Sequence, residues 1–74
     1  MAVIGKIVLE KDLNSVNLRK GDVVADVVIS KEYFQIRTYA FGDEDRTNGS
    51  KQNIQLDKVK ALEVRNLLNK FLER

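Results

Sequence analysis

Apolar and polar residues alternate in several stretches before residue 57, and after Asp57 the period changes from two to about 3.6. Residues 2–10, AVIGKIVLE, are rich in β-branched side chains, with Ile4 and Val8 on one face and Val3, Ile7 and Leu9 on the other. This predicts a strand that is apolar on both sides, with Gly5 marking a bulge or bend. Residues 11–20, KDLNSVNLRK, follow neither period and read as a loop anchored by Leu13, Val16 and Leu18. Lys11, Arg19 and Lys20 are then solvated charges, or the rim of an anion site. Gly21 opens a second strand, DVVADVVIS, in which Val23, Ala25, Val27 and Ile29 share the side expected against the core. Val24 and Val28 flank Asp26 on the opposite side, too apolar for open water, so a partner subunit is expected to cover it.

Ser30-Lys31-Glu32 is too short for a crossover, so the second and third strands should pair antiparallel. The third strand, residues 33–41, separates its faces cleanly. Phe34, Ile36, Thr38 and Ala40 lie on one side; Tyr33, Gln35, Arg37, Tyr39 and Phe41 lie on the other. A polar turn bounded by Gly42 and Asn48-Gly49 leads to a returning strand at 50–56, SKQNIQL. Asp57 reads as a helix N-cap. Ala61, Val64, Leu67, Leu68, Phe71 and Leu72 then form one apolar stripe, with Val59 and Leu62 outside it. The expected fold is α+β: a four-stranded antiparallel curved sheet followed by a C-terminal helix, β-β-β-β-α, in one domain spanning 1–74.

Length sharpens that picture. A chain of 74 residues without cysteine buries a small core and has no disulfide or thiolate site to brace it, so association with a second copy is the default expectation. Nothing in the opening residues reads as a signal peptide, and no apolar run approaches the ~20 residues of a membrane span. The expected location is the cytoplasm, with no membrane partner. A net charge of +2 does not by itself announce nucleic acid, so any electrostatic argument is local.

The chain also lacks histidine, so neither a Ser-His-Asp nor a Cys-His arrangement can form within it. Asp43, Glu44 and Asp45 sit together, but on a stretch that reads as an exposed, solvated turn. The run resembles a calcium loop only loosely, with its glycine one place late and no closing acid. No enzyme activity, cofactor or metal is expected. The informative feature is the outer face of the third strand, where Arg37 stands among Gln35, Tyr39, Tyr33 and Phe41. Interleaved aromatic rings and a planar cation suit a phosphate beside unstacked bases. The same residues also suit a second hydrophobic layer covered by a partner, with Arg37 in a salt bridge.

The run FQIRTYAF, the polar turn and SKQNIQL before an amphipathic helix resemble the transcriptional coactivator PC4 family of single-stranded DNA-binding proteins. The matching positions are Ile36-Arg37-Thr38-Tyr39, Lys51, Ile54-Gln55-Leu56 and the helix at 58–73; before these, only strand order and size correspond. The resemblance implies a homodimer of the kind shared with Whirly proteins, with helices at the dimer interface and grooves that take single-stranded or melted DNA with little sequence preference. Arg37 matches the family's DNA-contacting arginine, Lys51 a basic residue of its returning strand, and Lys31 its basic hairpin. Ala40 stands where the family often has a bulky aromatic, and Gln52-Asn53 replaces its usual Lys-Gly, which implies either weaker DNA binding or reliance on Tyr33, Tyr39 and Phe41 instead.

Together these readings predict a non-catalytic, homodimeric protein that binds single-stranded DNA in transcription, replication or recombination, with proteins of transcription or replication as further partners. The expected nucleic-acid contacts are Arg37, Tyr39, Lys51, Lys31, Tyr33, Phe41, Arg46 and Lys6. Val59, Leu62, Leu67 and Phe71 are expected at the dimer interface. The alternative is a protein-interaction module that uses the same strand face, and a third reading is a small regulator specific for duplex DNA or RNA.

Overall fold

A computed structural model describes residues 2–12 and 18–73. Its elements follow the expected order: β1 (Val3–Leu9), β2 (Asp22–Ile29), β3 (Phe34–Thr38), β4 (Gln52–Leu56) and α1 (Lys58–Leu72). The strands form one sheet in the order β1-β2-β3-β4. The pairs β2–β3 and β3–β4 are antiparallel. The short Ser30-Lys31-Glu32 link enforces the first of these, and Ser30 closes it by accepting the Tyr33 amide on its hydroxyl at 3.1 Å.

The expected all-antiparallel sheet is corrected at β1, which runs parallel to β2, so the sheet is mixed. The link through residues 10–21 explains how. β1 is about 23 Å long at ~3.3 Å per residue, and a twelve-residue link reaches up to ~40 Å, enough to return the chain to the starting edge. The reading of this link as a loop lies partly outside the described residues, with Leu13 and Val16 among those left out. Gly5 does mark an irregularity, because the β1–β2 register shifts between Ile4 and Lys6. Only glycine fits this close approach, since a Cβ at Gly5 would lie 2.7 Å from the Asp22 Cβ.

Alternation along the paired strands defines two faces. Ala25, Val27, Ile29, Phe34, Ile36, Ile54 and Leu56 lie on the first, and Val24, Asp26, Val28, Gln35 and Arg37 lie on the second. The packed cluster sits on the second face, where Val8, Val24 and Tyr39 are buried together with Leu18 against them. This reverses the expectation that a partner subunit must cover Val24. The chain's own link and the end of β3 do so. Val23, Ala25 and Val27 are buried in the central strand, while Ile7, Leu9, Ile29 and Ile54 remain exposed around them.

β3 ends at Thr38, short of the expected Phe41, and β4 starts at Gln52. Tyr39 still donates its amide to Val24 O at 3.3 Å, and Lys51 donates to Thr38 O at 2.7 Å; beyond them the chain turns. Gly42 and Gly49, at φ +80° and +82°, provide the left-handed conformations at the turn's ends. Asp57 caps α1 as expected, accepting the Lys60 amide at 2.8 Å. None of the helix residues is buried, and the helix meets the sheet mainly at β4. No described helix is long and apolar enough to cross a membrane.

Candidate nucleic-acid interface

Asp26 sits mid-strand in β2, directly across from Arg37 of β3 in the antiparallel register. The backbone thus presents a guanidinium to a carboxylate that is 1% exposed. Arg37 grips it side-on: Nε donates to Oδ1 and Nη2 to Oδ2, both at 2.8 Å. Tyr39, two positions along the same face, donates its hydroxyl to Oδ2 at 2.8 Å. Arg46 arrives from the β3–β4 loop and donates Nη1 to the same oxygen at 3.0 Å. Its guanidinium also reaches the carbonyl oxygens of Glu10 and Asp12, just past the end of β1. Arg46 adopts φ +60°, a conformation costing a side-chain-bearing residue roughly 1–2 kcal/mol, and these contacts hold it there.

The electrostatics follow from that geometry. Burial alone would raise the Asp26 pKa, but hydrogen bonds from Arg37, Tyr39 and Arg46 outweigh it and hold the carboxyl below its ordinary value. The hydrogen bond to Asp26 reinforces the Arg37 charge and raises its pKa further. Burial, then the bond to Asp26, raises the Tyr39 hydroxyl pKa. Glu10 and Asp45 complete the lining of a cavity of about 170 Å³ over this cluster.

The eight predicted contact residues therefore do not share one surface. Arg37, Tyr39 and Arg46 converge on Asp26; Tyr39 is 5% exposed and offers no open ring face, while the Arg37 side chain keeps 26% exposure. Phe41 and Lys51 form a second group at the end of the sheet where β3 leaves it. They line one cavity of about 450 Å³ with Thr38 and Gln52, and no carboxylate lines it. Phe41 is 64% exposed. On its other side it lines a cavity of about 340 Å³ with Arg19, Lys20, Asp22 and Glu44. Tyr33 lies at the opposite end of β3, beside Phe34, Leu56 and the first turn of α1. Lys31 is exposed in the β2–β3 turn, and Lys6 is exposed on β1, paired with Val24.

Two buried carboxylates escaped the sequence reading. Asp26 had a visible signal: it is an acid in the apolar middle of β2, where an unpaired charge is prohibitively costly. Asp43 corrects the solvated-turn reading. It is buried, and its carboxylate accepts the Thr47 and Asn48 amides at 2.9 and 3.1 Å, so it organises the turn from within. Among the described residues no group of three acidic, histidine or cysteine side chains is placed to hold a metal ion.

The expected dimer residues Val59, Leu62, Leu67 and Phe71 are all exposed along α1, with Phe71 at 70%. No family model, curated protein or solved structure matches the chain.

Proposed function

We propose that this chain is a non-catalytic, cytoplasmic single-stranded DNA-binding protein of the kind seen in the transcriptional coactivator family, acting as a homodimer in transcription, replication or recombination. The observation that carries the reading is the exposed Phe41 ring beside Lys51 in a cavity free of carboxylates. An open ring face takes an unstacked base of any identity, worth about 1–3 kcal/mol, and an adjacent ammonium takes a phosphate. A duplex hides its base faces and offers the ring nothing. Arg37 and Lys6 supply further cations on the strands, while Lys31 and the Tyr33 ring lie farther off at the β2–β3 turn.

The dimer is supported by α1. An apolar helix stripe without a buried residue is a surface awaiting a partner, and a chain of this length has few other ways to gain stability. Val59, Leu62, Leu67 and Phe71 would pack against the second copy. The same exposed stripe favours one alternative, a protein-interaction module in which the occupant is a different polypeptide.

Fluorescence anisotropy with oligo-dT and a matched duplex, titrated across salt, tests the reading. Tight, salt-sensitive binding to the single strand, lost by several-fold or more in Phe41→Ala, is the expected result. Failure to bind either nucleic acid at low salt would overturn it in favour of the protein-interaction module.

A further inference from the structure

We infer that Asp26 is a positioning residue for nucleic-acid binding: by fixing one edge of Arg37 it holds the guanidinium's other edge outward for a backbone phosphate. The inference rests on the single-strand reading above and concerns a buried acid that such a reading would not otherwise use.

A guanidinium has five N–H donors in a rigid plane, and the side-on fork to Asp26 occupies one on Nε and one on Nη2. Three donors, including both on Nη1, lie outside the fork. Asp26 is itself immobile. It is buried in the central strand and gripped by Tyr39 and Arg46 in addition to Arg37. A planar group held at two points by an immobile anion has little freedom left, so an acceptor meeting its free edge loses little entropy on binding. The Arg37 side chain keeps 26% exposure on the strand face, which we assign to that edge.

Charge alone predicts the opposite role for Asp26. The cluster contains the carboxylates of Glu10, Asp26 and Asp45 against the guanidinium groups of Arg37 and Arg46. Simple attraction would make every one of those acids unfavourable for phosphate binding. The two roles therefore differ in sign. Neutralising a rim acid should strengthen binding, whereas neutralising the acid that orients Arg37 should weaken it.

Oligo-dT anisotropy across salt, with wild type, Glu10→Gln and Asp26→Asn, reads this difference. The expected result is that Glu10→Gln binds as well as wild type or tighter, while Asp26→Asn binds at least fivefold more weakly although it has one negative charge fewer. The slope of log K against log salt should also fall in Asp26→Asn by roughly 0.7, the loss of one single-strand phosphate contact. A role in folding alone would lower the amount of active protein and leave the slope unchanged, and that outcome overturns the proposal. Equal or tighter binding by Asp26→Asn overturns it too, while leaving the single-strand reading intact. A wild type that binds no oligo-dT removes both.

Should Asp26→Asn show no thermal transition, Arg37→Lys decides. It keeps the charge beside Asp26 but cannot form the planar fork. Weakening of at least fivefold, although the charge is kept, supports positioning; wild-type affinity refutes it.

Discussion

Replacing Asp26 with alanine tests the centre of the fold more directly than any other single change. The substitution removes the acceptor for four hydrogen bonds and leaves Arg37, Arg46 and the Tyr39 hydroxyl facing one another around a gap. Removing one partner of a buried ion pair costs about 3–5 kcal/mol, mostly because the stranded charge remains desolvated. Arg37 is partly exposed and can recover water, which favours the lower end, near 3 kcal/mol; the Arg46 side chain, at 10% exposure, recovers much less. At roughly 0.05–0.15 kcal/mol per residue the whole domain has only about 4–11 kcal/mol of stability. The midpoint of thermal unfolding should therefore fall by roughly 12–24 °C, at about 4–8 °C per kcal/mol for a domain of this size. The measurement is calorimetry at one fixed protein concentration, because association would otherwise shift the midpoint. Tyr39→Phe removes a single bond to the charged acceptor and should cost about 1.5 kcal/mol. In the double mutant that bond is lost only once, so the costs should fall short of additivity by about 1 kcal/mol. A loss below 1 kcal/mol for Asp26→Ala, or strict additivity with Tyr39→Phe, would refute the network.

The same carboxylate sets an acid limit. Its folded-state pKa lies below the unfolded value of 3.8, so its contribution is complete above that pH and disappears as pH falls through the folded value. Thermal midpoints recorded downward from about pH 5 should decline more steeply in wild type than in Asp26→Asn, and parallel declines would exclude Asp26 as the group responsible. Gly5→Ala places a Cβ 2.7 Å from the Asp22 Cβ and 2.8 Å from its Oδ2. The β1–β2 pair must then shift, at about 1–3 kcal/mol read from urea unfolding, and an unchanged midpoint would contradict this close approach. Leu67→Glu combined with Phe71→Glu puts charge into the exposed stripe of α1 and should convert a sedimenting dimer to monomer at micromolar concentration. A wild type that sediments as a monomer would count against the second copy.

How much of this was legible in the sequence depends on how local the determining physics is. Period-two alternation located β2, β3 and β4, β-branched content located β1, and the Asp57 cap with the 3.6-residue stripe located α1, because these signals are carried by neighbours in the chain. The Ser30-Lys31-Glu32 link fixed the direction of β3 by length alone. The link through residues 10–21 is long enough to permit either direction, so local patterning was silent about β1. Side-chain partners were less accessible still. Alternation put Arg37 and Tyr39 on one face, and Asp26 on one face of its own strand. Only the register of β2 against β3 shows that these two faces are the same. Asp43 was misread for a related reason, since its amide partners at 47 and 48 appear only once the turn closes.

The parallel direction of β1 is what makes the Asp26 cluster possible. In the observed register Val8 lies beside Asp26 and Leu9 beside Val27, so the chain leaves β1 next to the buried carboxylate. Glu10 continues that pairing, donating its amide to Val27 O at 2.8 Å. The carbonyl oxygens of Glu10 and Asp12 are therefore within reach of the Arg46 guanidinium that also binds Asp26. An antiparallel β1 would start, rather than end, beside this point, and Arg46 would lose its backbone acceptors. One arginine thus ties the β1–β2 link to the β3–β4 loop across the acid that also orients Arg37. The loop's other members, Phe41 at its start and Lys51 at its end, inherit their positions from the same closure. The topology that sequence patterning missed is therefore a condition for the Asp26 cluster itself.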